Sequence, residues 1–196
     1  DKVNRIDLTK DTIFTIDSIH TKDMDDAVSI KKLYNGNYIL GVHIADVAHY
    51  LKPTMSTFKE ALKRGTSLYL GETVIPMIPS ELSNGICSLN EGVERLTKSC
   101  IIEINPKGKI VNSKIVDSVI ISKKKMSYEE LNKIFENNEF NEEYIEFKDE
   151  LNLMRELSNI ITRNKNKQGN LDFESNDIHV NKDIFNNDKI TGFSTR

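Results

Sequence analysis

Cysteine is nearly missing from this chain: Cys87 and Cys100 are the only two in 196 residues. They form no CxxC and no paired spacing, so neither a disulfide framework nor a cysteine-rich zinc site can be built, and both thiols should be reduced. No apolar run approaches the roughly 18 to 20 residues that cross a bilayer, and no basic-then-apolar leader precedes the first patterned segment. The expectation is a soluble, cytoplasmic protein. A basic excess is missing too. The net charge of −3 and a pI near 5.9 carry no compositional sign of nucleic-acid binding, so such a partner would have to show itself locally. The sequence also opens on Asp1 rather than Met, which suggests a piece of something longer. What is present, 38% hydrophobic and 29% charged residues, describes a globular chain with one substantial core at most, the tail being the exception.

The first two-thirds read as β-rich. Residues 12 to 17 (TIFTID) are β-branched and aromatic and end on an acid. Residues 27 to 33 and 38 to 46 flank Asn35-Gly36, a strong hairpin signal, and the second arm is apolar on both parities, as in a central strand. A short helix is expected over 55 to 64, stopping at Gly65. Prolines 76 and 79 keep regular structure brief over 74 to 92, and strands resume at 97 to 104 and 109 to 122 around Pro106-Lys107-Gly108. Ser127 with Glu130 forms a capping-box pattern that opens one helix. Phe147, Leu151, Met154, Leu157 and Ile161 mark the core face of a second. From Arg163 onward Asn, Lys and Asp dominate and no period emerges.

The densest chemistry lies in residues 15 to 27, TIDSIHTKDMDDA, which gather Asp17, Asp23, Asp25 and Asp26. At about 5 Å and an effective dielectric near 20, each ionised pair costs on the order of 3 kcal/mol. Such a cluster either faces solvent or holds a hard cation, because Mg²⁺ and Ca²⁺ take carboxylate oxygens. An EF-hand loop counted from Asp23 fails, with Val28 where Gly is needed and Tyr34 where Glu is needed. His43, Asp46 and His49 are close enough to suggest zinc, but their strand parity would require a bend. Two metal ions on the aspartates would indicate displacement at phosphorus.

The order of motifs is more specific than any one of them. TIDSIHTKDMDDA (15 to 27), GVHIADVAHYL (41 to 51), RGTSLYL (64 to 70), VIPMIPSELSNGICSLN (74 to 90) and ERLTKS (94 to 99) together resemble the RNB catalytic domain of the ribonuclease II and ribonuclease R family. The likeness is dense over residues 3 to 128 and weak through 129 to 196, as far as GNLDFE (169 to 174). What it implies is a processive 3′-to-5′ exoribonuclease that uses Mg²⁺ to hydrolyse single-stranded RNA to 5′-nucleotides, monomeric at full length. By position, Asp17 and Asp26 match metal ligands, Asp23 a supporting ligand, and Asp25 the aspartate most directly required for hydrolysis. Tyr69 and Phe173 match two aromatics that clamp the terminal bases. The family's later Glu and Arg, its cold-shock domains and its S1 domain have no counterpart here, so the chain is expected to be the first part of a catalytic domain, with little turnover by itself.

The expected fold is α+β: a mainly antiparallel twisted sheet carrying the acidic site at one edge, with helices from about residue 127 packed against it. Two other functions are compatible with parts of this pattern. One is a non-catalytic RNA-binding relative, and the other is a divalent-cation module unrelated to RNA.

Overall fold

The computed structural model describes residues 2–70 and 73–169, together with the backbone of Asn176–Lys182 and Asp188–Thr195. Its centre is a seven-stranded sheet in the order β1-β8-β7-β4-β3-β2-β9, made of β1 (Ile6–Asp7), β2 (Ile13–Asp17), β3 (Asp26–Lys32), β4 (Tyr38–Ala45), β7 (Glu94–Ile104), β8 (Ile110–Ile121) and β9 (Lys124–Ser127). The inner pairings are antiparallel, while β1 runs parallel to β8 and β9 parallel to β2. The fold is α+β, and mainly antiparallel as expected.

Local chemistry explains the ladder. Asn35-Gly36 turns β3 into β4, with Gly36 at φ 84° and the Leu33 and Asn37 backbones closing the turn. β4 sits mid-sheet between β3 and β7, as its two-sided apolar pattern anticipates. The β7 strand begins three residues earlier than the sequence pattern indicates, because Glu94 to Leu96 pair with Val119 to Ile121 regardless of their weak local propensity.

Helices α3 (Tyr128–Asn137) and α4 (Lys148–Lys167) cover one face of the sheet. Ser127 caps α3 by accepting from the Glu130 N–H at 3.2 Å. Phe14 and Met126 from the sheet pack with Leu131, Ile134, Tyr144, Phe147 and Leu151. Farther along, Ile30, Tyr38 and Ile104 meet Leu157 of α4. The opposite face holds Ile13, Met24, Ala27, Ala45, Leu89 and Ile120. Near one end of the sheet lie α1 (Val47–Tyr50) and α2 (Ser56–Arg64), the latter closed by Gly65 in the left-handed region. A separate ribbon pairs β5 (Leu68–Leu70) with β6 (Thr73–Ile75), and residues Glu81–Ile86 form a π-helical turn.

Two expectations are corrected toward the C-terminus. Helix α4 continues past Arg163 to Lys167, because Asn164 donates to the Lys107 carbonyl at 2.6 Å and Ile160 and Asn164 abut Gly108, so the β7–β8 turn supports its last turns. The Asn- and Lys-rich tail also holds a hairpin, β10 (Asn176–Lys182) antiparallel to β11 (Asp188–Thr195). Ile178, Val180 and Ile190 are too sparse among polar residues to display a period in the sequence. Among the described residues no helix is long and apolar enough to cross a membrane.

Candidate active site

β2 ends on Asp17 and its antiparallel neighbour β3 begins on Asp26, so adjacent strand ends carry the first and last acids of the cluster. Asp23 and Asp25 lie in the connection between them. Met24 separates that pair and is 3% exposed, packed into the core with Ala45 and Leu89. Burying it contributes about 1.5 to 3 kcal/mol and pins the loop at its midpoint. Asp23 is left half-buried, and Asp25 and Asp26 are exposed.

The four carboxylates act on one another. Asp17 is pushed up to about 6, first by burial, then by Asp26, with Asp23 and Asp25 adding to the effect and Lys125 opposing it. Asp25 is raised by partial desolvation and by the charges of Asp23 and Asp26. Asp17 Oδ2 is buried with no hydrogen-bond partner, an arrangement that is costly unless a proton or cation satisfies it. Among the described residues no three His, Cys, Asp or Glu side chains already converge into a metal cage. The donor set is nevertheless all carboxylate, the chemistry of a hard divalent cation, and the orphaned oxygen fits one.

Tyr69 stands on the β5–β6 ribbon opposite Val74 and is 67% exposed, so its ring is open for stacking rather than packed in the core. Phe173 lies outside the described residues. The zinc alternative is not supported: the three residues are engaged elsewhere. His43 is fully buried, with Nε2 3.0 Å from Ser29 Oγ and Nδ1 2.6 Å from Ser99 Oγ. Asp46 forms a buried ion pair with Arg5 at 2.5 Å, and the same guanidinium lies 3.4 Å from His49 Nδ1.

Sequence reasoning missed the residues that hold the acidic loop. Lys125 Nζ donates to the carbonyls of Thr21 at 2.5 Å and Ile19 at 3.2 Å. Ser88 contacts the loop from the proline-bounded motif 74 to 90, whose pattern does not indicate which of its residues meets the loop. Nothing local marks either residue, since each acts across a long stretch of chain.

Comparison with known proteins bears on the family and the fold. The chain is 50% identical over 181 residues to ribonuclease R of Thermotoga maritima, covering 92% of this chain and 26% of that protein. RNase R of Mycoplasma genitalium, solved in complex with double-stranded RNA, matches at TM-score 0.88 and 32% identity, covering 100% of this chain and 34% of that one. A yeast pseudonuclease shares the fold at TM-score 0.68 and 20% identity, over 80% of this chain and 19% of that chain. The chain thus spans about a quarter of the length of its ribonuclease R relative from Thermotoga. The RNB domain pattern runs through residues 5–194, and this chain belongs to the RNB-domain family.

Proposed function

We propose that the protein carrying this chain is a 3′-to-5′ exoribonuclease that degrades single-stranded RNA processively with Mg²⁺. The observation that carries the reading is four aspartates gathered on two adjacent strand ends and the clamped loop between them, with Asp17 Oδ2 buried and unpartnered. Family membership supports it, and so does the RNA bound to the Mycoplasma genitalium relative.

Asp17 and Asp26 are the proposed principal metal ligands, with Asp23 supporting them. Divalent cations bound there would lower the pKa of an attacking water and offset charge on the phosphate. Asp25, open to solvent and with its pKa raised, is proposed as the aspartate most directly required for hydrolysis, as acceptor of that water's proton. Tyr69 offers a stacking face to a terminal base, worth on the order of 1 to 3 kcal/mol without reading sequence. Phe173 is proposed as its partner in the clamp, on the strength of the family motif. The whole protein is proposed to be a cytoplasmic monomer.

The pseudonuclease that shares this fold shows that architecture does not decide activity. The deciding experiment is Asp25→Asn in the full-length protein, which should abolish nucleotide release while leaving RNA binding nearly intact. Retained hydrolysis overturns the assignment. Loss of RNA binding together with hydrolysis would point to a folding defect, checked by thermal unfolding of the same variant. The 196-residue chain alone should bind RNA weakly and turn over little, because a partial cleft cannot hold the phosphate in line.

A further inference from the structure

The connection from Ser18 to Asp25 has no strand or helix of its own, yet it must present carboxylates with sub-ångström consistency if it is to hold cations. Its order therefore comes from outside. Ser88, 0% exposed, supplies the central contact: its Oγ accepts the Met24 N–H at 3.1 Å and donates to the Lys22 carbonyl at 2.9 Å. Those two backbone groups flank Asp23 on either side. The hydroxyl has one proton, and Lys22 O is a better acceptor for it than Asn90 Oδ1 at 3.5 Å. The next residue continues the clamp, as the Leu89 N–H donates to the Met24 carbonyl at 2.9 Å.

Ser88 is itself held. Arg95 Nε donates to the Ser88 carbonyl at 2.8 Å and its Nη2 to the Gly85 carbonyl at 3.1 Å, fixing the segment to β7. On the far side of the loop, the Ala45 N–H at the end of β4 donates to the Asp25 carbonyl at 2.9 Å. The peptide units around Asp23, Met24 and Asp25 are thus tied to two strands of the sheet, through Ser88-Leu89 and through Ala45.

We propose that Ser88 is a positioning residue for the acidic site: its hydroxyl fixes the backbone on both sides of Asp23 and so sets how Asp23 and Asp25 face Asp17 and Asp26. Ser88 acts through the backbone of the loop. The inference rests on reading the four aspartates as cation ligands.

The test compares the full-length protein with its Ser88→Ala variant, and with Ser88→Cys as a size-matched second variant should the alanine protein fail to fold. Two quantities are read. One is amide hydrogen exchange without metal. The other is Mn²⁺ binding followed by electron paramagnetic resonance. Loss of the hydroxyl should speed exchange about tenfold at the Met24 amide and its neighbours through Asp25, while β4 and β7 keep their protection. Mn²⁺ affinity should fall by about fivefold or more, the consequence of ligands held less firmly. Unchanged exchange across the loop overturns the proposal, as does exchange that rises equally in β4 and β7. Faster loop exchange with unaltered Mn²⁺ affinity also overturns it, since the hydroxyl would then only order the chain. Failure of the wild-type full-length protein to bind Mn²⁺ defeats the cation reading instead, and the exchange data still decide whether Ser88 holds the loop.

Discussion

Gly41 lies against His43: a Cβ at position 41 would come within 2.7 Å of His43 Nε2 and 2.3 Å of Ser29 Oγ. The missing side chain is what lets the imidazole and the serine hydroxyl meet at 3.0 Å inside the sheet. From His43 the contacts continue through Ser99 to Ser118, and from Ser118 to Thr97, so β3, β4, β7 and β8 are linked by buried polar groups. Gly41→Ala should therefore cost about 2 to 4 kcal/mol, combining overpacking with a broken buried hydrogen bond. Urea unfolding measures it, and a loss below the noise of that measurement would mean the ladder relaxes freely.

The same histidine gives a pH dependence. Burial holds His43 down to about 4, against an ordinary value of 6.5. Between those values the unfolded chain takes up a proton that the folded one refuses, so this contribution is fully present above pH 6.5 and declines as pH falls toward 4. Asp17 runs the other way. Raised from 3.8 to about 6, it keeps a proton that the unfolded chain has released, so its contribution is present at low pH and is lost as pH rises through that window. Without divalent cations, Asp17→Asn should make stability climb more steeply between pH 4 and 6.5. Denaturation midpoints in chelator at several pH values read the slope; an unaltered slope would remove the burial assigned to Asp17.

The Arg5 and Asp46 side chains are 8% and 4% exposed, so neither charge can recover solvation if the other is removed. Arg5 also donates to the Thr97 carbonyl at 3.3 Å, joining the N-terminal segment to β7. Asp46→Ala should cost about 3 to 5 kcal/mol, whereas replacing both partners with apolar residues of similar volume should recover much of that loss. A double variant as unstable as the single one would refute this account.

Ser127→Ala should cost about 1 kcal/mol by freeing the Glu130 N–H of α3. The readout is the shift in thermal midpoint, and the Ser127 N–H keeps its bond to the Tyr144 hydroxyl at 3.1 Å in either case.

Local signals carried far in this chain. Asn35-Gly36, the Ser127 cap and the Phe147 to Ile161 stripe each act within a few residues, and each forms the element its pattern indicates. The acidic cluster was legible for the same reason, since four aspartates within ten residues are conspicuous without a fold. Long-range residues were not. Ser88 is a serine in an irregular stretch until it is seen to bracket Asp23, and Lys125 is one of three consecutive lysines until its ammonium is found on the Thr21 carbonyl. β9 was missed because four residues show no period, and only the parallel pairing with β2 makes them a strand.

That short strand bears on the order in which the site can be made. Asp17 pairs in register with Ser127, and Lys125 reaches back across 104 residues to Thr21. During synthesis from the N-terminus, the aspartates emerge long before the residues that close the loop around them. A nascent chain stopped between Leu89 and Lys125 carries all four carboxylates and the Ala45 and Ser88 ties, yet lacks the strand beside Asp17 and the lysine on Thr21, so the acidic loop cannot be fully locked until β9 emerges.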